Sequence, residues 1–141
     1  MGGAETMIVD LRGNGGGAQV SGYHEAVSVL DRMKLETIYV LIDGSSFSQT
    51  VFFATYLKQE LENVVLVGTP AAQSPNFFGT IESYNMPNTQ TRFVLATEWW
   101  MGWEGYEHDA LMPDIIVEQK MQDYKDGRDA VLAYVLDATD E

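Results

Sequence analysis

Met7-Ile8-Val9-Asp10-Leu11-Arg12-Gly13-Asn14-Gly15-Gly16-Gly17 decides how the chain is read. A short run of β type, apolar enough to be buried on both faces, ends in a cluster of four glycines. Such a run suits a strand of a parallel sheet, and the glycines suit a loop at its carboxyl end.

Working outward, Val20, Tyr23, Val27, Leu30 and Met33 recur three or four apart and form one face of a helix. Ile38–Ile42 is a second buried strand, closed by Asp43-Gly44. A second helix follows, with Val51, Ala54, Tyr56, Leu57 and Leu61 among its apolar positions. Val64–Val67 is a third strand, stopped by Gly68 and Pro70. Three strands separated by two helices predict a βαβαβ unit with right-handed crossovers. After Pro75 the pattern changes: Phe78–Met86 and Thr91–Thr97 read as an antiparallel pair joined by Pro87-Asn88-Thr89. Residues 98–113 hold Trp99, Trp100, Trp103 and Tyr106 with no clear period. This cluster reads either as core closing one end of the sheet or as a partly exposed platform. Ile115–Val117 is a last strand and Arg128–Leu136 a terminal helix. The fold class is therefore α/β, a mostly parallel central sheet with a βαβαβ start and an antiparallel appendage, in one domain spanning 1–141.

The whole composition fits that reading. The chain has 141 residues, 45% of them hydrophobic, with 16 Phe, Trp and Tyr and no cysteine. This is enough apolar surface for a folded core, and it excludes a disulfide frame or a thiolate metal site. A net charge of −13 argues against nucleic acid and anionic membrane surfaces as partners. No apolar run reaches the length of a membrane span. From Glu98 onward 12 acidic residues face 3 basic ones, which reads as a solvated acidic surface. Asp123, Asp126 and Asp129 lack calcium-loop spacing. No cofactor or metal is expected. The start, Met1-Gly2-Gly3-Ala4, lacks the basic opening and apolar stretch of a secretory signal, and the sequence reads as a piece of something longer.

Ligands of open parallel sheets bind beyond the carboxyl ends of the strands. Three loops leave such ends: Arg12–Ala18, Gly44–Ser48 and Gly68–Phe77. The first has three readings. Gly13 to Ala18 matches G-x-G-x-x-A and could hold a pyrophosphate, although Asp43 lies later than that motif wants its acidic residue. The glycines could instead expose N–H groups to a developing oxyanion, or simply make a tight turn. In the second loop Ser46 and Gln49 form a capping-box pattern. That would put Ser48 in the first helical turn, near unpaired N–H groups and the positive end of the dipole, as a nucleophile or merely as part of the cap.

Residues 8–17 resemble the strand-and-glycine signature of the C-terminal processing peptidases, or tail-specific serine proteases. The second loop is similar to that family's nucleophile segment, with Ser48 at the nucleophile position. Gly68-Thr69-Pro70 resembles the turn after the next strand, and Met112–Val117 resembles the Pro-Asp strand near the family's C-terminus. The resemblance implies a spiral architecture of the ClpP and crotonase group. It implies a serine-type endopeptidase acting on protein or peptide substrates near their C-termini, in the cell envelope or secreted. It also implies that these residues are the C-terminal part of a protease domain whose N-terminal portion is absent. Ser48 is then the nucleophile, with the Gln49 N–H and the amides of Gly15, Gly16 and Gly17 as oxyanion donors. The family's general-base lysine falls in Ala71–Asn76, where the chain has Ser74 instead. Candidate bases are His108, beside Glu104, Glu107 and Asp109, with Glu98 as a carboxylate partner. His24 reads as a surface residue and Lys58 as a solvent lysine. A non-catalytic peptide-binding relative and a nucleotide-binding module are the rivals.

Three expectations follow from these assignments. The glycine amides and the Ser48 hydroxyl should share one cleft, within about 8 Å. The fragment alone should be a poor peptidase. Its uncovered strand edge and tryptophans should make it self-associate as a homodimer.

Overall fold

The computed structural model describes residues 5–17 and 22–139, so Ala18, Val20 and Met1–Ala4 lie outside the described residues. The strands are β1 (Thr6–Asp10), β2 (Thr37–Ile42), β3 (Val64–Gly68), β4 (Asn76–Asn85), β5 (Arg92–Met101) and β6 (Ile115–Ile116). The helices are α1 (Tyr23–Met33), α2 (Gln49–Glu60), α3 (Met121–Asp126) and α4 (Ala130–Thr139).

The central sheet is entirely parallel, in the order β1-β2-β3-β6. β2 and β3 are its interior, and Ile38, Val40, Leu41, Ile42 and Val67 are fully buried. Two right-handed crossovers running in one direction place both helices on one face. There α2 sets Val51, Ala54 and Leu57 against Val40, Ile42 and Leu66, and α1 adds the half-buried Val27 and Leu30. Met33, expected on the same apolar face, is 43% exposed. On the other face α4 packs Val131 and Val135 onto Leu41 and Val67. Here the sheet is only partly covered, because one helix of ten residues spans few strands. The α/β class with a parallel sheet and an antiparallel appendage is as the sequence predicts.

Four details differ. β5 runs on to Met101, so Trp99 and Trp100 belong to a strand and Glu98 lies inside it opposite Gly79, not at a strand end. Cross-strand ring contacts, Phe78 on Trp99 and Phe77 on Trp100, extend the pairing. The aromatic cluster accordingly divides: Trp103 and Tyr106 pack on the core, whereas Trp99 is 56% exposed. Helix α3 has no counterpart in the sequence reading, because a six-residue helix has too little period to detect. Lys58 is not a solvent lysine. Its Nζ donates to the Val64 carbonyl and to Asp114 Oδ2, both at 2.8 Å, and Asp114 also accepts the Leu66 amide at 2.7 Å. Asp114 thus satisfies an amide of β3 that the two-residue β6 leaves uncovered.

Arg12 joins the end of β1 to α4. Its guanidinium donates to Asp10 Oδ1 and Oδ2 and, bidentately at 2.8 Å, to Asp129. Asp129 also accepts the Leu132 amide at the start of α4. Hydrogen bonds from Arg12 hold both carboxyls below the ordinary aspartate pKa. A depressed folded-state pKa gives stability that is present above the unfolded value, near 3.8, and lost as pH falls through the folded one. Stability should therefore drop on acidification below about pH 4. Arg12→Met should flatten that drop, as read by urea midpoints across pH 2–6. An unchanged acid slope in the variant would contradict the linkage.

Candidate active site

The three loops at the carboxyl ends of β1, β2 and β3 are stitched together by backbone. The Phe47 amide donates to the Asn14 carbonyl at 3.1 Å, and the Ala72 amide donates to the Ser46 carbonyl at 3.0 Å. Asp43 clamps the first two loops: its Oδ1 accepts the amides of Gly13 at 3.1 Å, Ser45 at 2.9 Å and Ser46 at 3.1 Å. That carboxylate oxygen is thereby occupied with backbone and is not presented to a ribose. The Ala71 amide donates to the Leu111 carbonyl, and the Leu111 amide to the Gln73 carbonyl. These bonds bring the segment after His108 to the third loop.

Ser46 is not the N-cap of α2. Its hydroxyl is fully buried, donates to the Leu11 carbonyl at 3.0 Å and accepts the Asp43 amide at 3.1 Å. The helix begins at Gln49, and Ser48 itself is the N-cap, at φ 55 and ψ −123. A non-glycine residue here is strained by about 1–3 kcal/mol, and the surrounding structure must enforce it. The Ser48 hydroxyl makes no capping bond, so the conformation does not serve helix capping. It leaves a half-buried serine without a capping bond at the positive end of α2.

Gly16, at φ +90, makes the closest approach to this turn. A Cβ on Gly16 would lie 2.8 Å from Ser48 Cβ, 2.8 Å from the Gln49 amide nitrogen and 2.7 Å from the Phe47 carbonyl. Covalent geometry then keeps the Ser48 hydroxyl within about 7 Å of the Gly16 amide. That amide donates to Asn14 Oδ1 at 2.9 Å. The close approach is to the protein's own second loop, which explains the glycine without a pyrophosphate. Gly15 and Gly17 have open space around them. The cleft here, about 190 Å³, is lined by Asn14, Gly16, Gly17, Tyr23, Gln49 and Phe53.

Tyr23 is a residue of this site that the sequence reading saw only as an apolar position. Its hydroxyl lies 3.0 Å from both the main-chain carbonyl and Oε1 of Gln49, and its ring stacks on Phe53 at 4.7 Å. Burial pushes its pKa up, so it stays a donor. The only signal in the sequence was its place on the inward face of α1.

The other candidates are dispersed. Ser74 Oγ accepts the Asn76 amide at 3.2 Å. Glu98 accepts the Thr80 hydroxyl at 2.7 Å on the exposed hairpin. His108 is exposed and packs edge-on against Tyr106. His24 is exposed and bonded to the Tyr56 hydroxyl. Among the described residues, none accepts a hydrogen bond from Ser48. A larger cleft, about 690 Å³, opens on the α4 side and includes Arg12, Asp43, Asp123, Tyr124 and Arg128. Its arginines are already engaged by carboxylates, whereas the smaller cleft adjoins the Ser48 turn through Gly16 and Gln49.

No family model and no curated protein matches the chain. Solved structures do share its fold. A protein assigned as a peptidase from Parabacteroides merdae superposes with a TM-score of 0.66 at 19% identity, over 95% of this chain and 51% of that one. The tricorn protease gives 0.62 at 17%, over 96% of this chain and 15% of that one. A protein assigned as an S41 protease from Bacteroides fragilis gives 0.56 at 14%, over 82% and 38%. At these identities the likeness establishes the fold. The chain spans about half the length of the first of these structures.

Proposed function

We infer that this chain carries the nucleophile and oxyanion side of a serine-type endopeptidase of the tail-specific kind, which cuts proteins near their C-termini. The strained backbone of Ser48, held at a helix N-terminus against the glycine loop, carries the reading. A strand-to-helix turn of this type is what presents a nucleophilic serine, and strain without a capping role calls for another use. That proteins sharing the fold are assigned as peptidases supports it further.

In the reaction, Ser48 Oγ attacks the scissile carbonyl carbon and yields its proton to a base. The carbonyl electron pair moves onto oxygen. The Gln49 N–H, at the start of α2, and the Gly15 and Gly17 amides receive that oxyanion. Collapse breaks the C–N bond, and the departing amine takes the proton. Water then releases the acyl group by the same steps in reverse. The Gly16 amide, held by Asn14, shapes the loop and is not a donor to the oxyanion. No described residue stands ready as base, so we assign the base to the part of the catalytic domain that this chain does not span. Ser74 and His108 assist at most from neighbouring loops.

A fluorophosphonate probe tests this. The full-length protein should label at Ser48, and Ser48→Ala should abolish labelling. The 141 residues alone should react at least about 100-fold more slowly, the usual worth of a positioned base. A folded full-length protein that leaves Ser48 unlabelled would favour the non-catalytic peptide-binding relative. Ser48→Gly gives a second readout. Glycine relaxes the φ 55 conformation, so the variant should be more stable by about 1 kcal/mol, seen as a higher Tm, while losing all labelling. A serine kept for the fold would show the opposite sign.

A further inference from the structure

The hairpin β4–β5 is the least covered part of the molecule. Each strand has ten residues, and pairing runs from Asn76↔Met101 to Asn85↔Arg92. Along β5, Phe93, Leu95, Trp99 and Met101 alternate onto one face, and ring contacts place Tyr84 and Phe78 of β4 beside Phe93 and Trp99. Their exposures run from 39% for Phe93 to 63% for Phe78. The opposite face is attached to the body at its base, where Trp100 meets Phe52 of α2 edge-on at 5.5 Å. Among the described residues nothing covers the aromatic face.

Two physical facts say what should cover it. The first is charge. The chain carries −13, yet residues 76–101 contain only Glu82, Arg92 and Glu98, a net of −1. Two copies repel each other less here than across residues 102–141, where 11 acidic and 3 basic residues leave a net of −8, and Glu82 is already bonded to the Tyr84 hydroxyl on the same arm. The second is area. Six side chains of this size, each about half exposed, offer about 600 Å² per copy, hence about 1,200 Å² over two, the lower bound of a stable interface. A two-fold contact sets identical faces together and needs no complementary partner. A lone two-stranded sheet in water is marginally stable, so covering this face also stabilises the arm.

We propose that the aromatic face of the β4–β5 arm is the interface of a two-fold homodimer of this chain. Raising salt tightens the dimer, because apolar burial drives it and the remaining charge opposes it.

Sedimentation of the full-length protein and of the 141 residues at 0.05 and 0.5 M salt should show, for both, a dimer whose dissociation constant falls as salt rises. A dimer of the 141 residues alone would mean that the rest of the domain covers this face and would overturn the proposal. Trp99→Glu or Leu95→Lys should weaken it by about 30-fold or more, the effect of removing an interface anchor. Because the sequence has no cysteine, single cysteines report geometry directly. Leu95→Cys or Phe93→Cys, near the middle of the face, should form disulfide-linked dimers on mild oxidation, whereas Val29→Cys on exposed α1 should not. Circular dichroism of each variant checks that the body stays folded. A monomer at high micromolar concentration in 0.5 M salt would overturn the proposal. So would a dimer indifferent to Trp99→Glu and cross-linked as readily through Val29→Cys. Binding of this face by a different protein in place of a second copy would appear as a monomer here and would overturn it too.

Discussion

Gly68→Ala should be the most destabilising single change in the sheet, at a cost of about 4 kcal/mol or more. Gly68 ends β3 at φ +128, a conformation that side chains rarely adopt. A Cβ there would sit 2.1 Å from the Ile42 carbonyl oxygen and 3.3 Å from its carbon. Neither partner can retreat. Ile42 is fully buried and pairs with Gly68, its carbonyl accepts the Thr69 amide at 3.2 Å, and the Gly68 carbonyl accepts the Val117 amide at 2.9 Å. Moving the end of β3 would therefore break its pairing with both β2 and β6. In a chain whose total stability is about 5–15 kcal/mol, such a loss removes from about a quarter to most of the margin. Gly44→Ala is the control. Its only near atom is the Pro70 carbonyl at 4.0 Å, and the change should shift a urea midpoint very little. Equal midpoints for the two variants would disprove the steric account.

Gly16→Ala should cost less stability, about 2–3 kcal/mol, but should remove the reactivity of Ser48 almost entirely. The loop is exposed and can give way, which limits the stability loss. It can do so only by moving off Phe47, Ser48 and Gln49, the atoms a new Cβ would strike at 2.7–2.8 Å. A displacement of about 1 Å between a nucleophile and its oxyanion donors is worth about 100-fold in rate. Fluorophosphonate labelling of the full-length Gly16→Ala protein should fall by at least that factor. Gly15→Ala and Gly17→Ala, with nothing within 4 Å and ordinary φ, should keep the fold. Labelling by Gly16→Ala at the normal rate would separate the glycine loop from the serine and remove the oxyanion assignment.

The alternation of apolar runs and helical periods was enough to determine the parallel βαβαβ core, because strands buried on both faces have no polar alternation to disguise them. Ile38–Ile42 and Val64–Val67 could hardly be anything else. The glycine cluster and the small-residue loop after Asp43 also announced themselves, since no regular element accommodates them. What the sequence could not rank was which serine and which glycine mattered. Ser46 and Ser48 are alike as letters. Only the folded backbone buries Ser46 under Leu11 and Asp43 and leaves Ser48 strained and without a capping bond. Gly15, Gly16 and Gly17 are equally alike until α2 is packed against one of them. Lys58 read as solvent because the amide it helps to cover, through Asp114, lies on a strand far along the chain. Trp99 and Trp100 read as loop because a strand exposed on both faces has no burial period, and cross-strand pairing with Phe77 and Phe78 supplies the order instead. Local pattern determined the elements, because period and burial are written into neighbouring residues. The site was decided by contacts between three loops distant in sequence, which only the tertiary structure brings together.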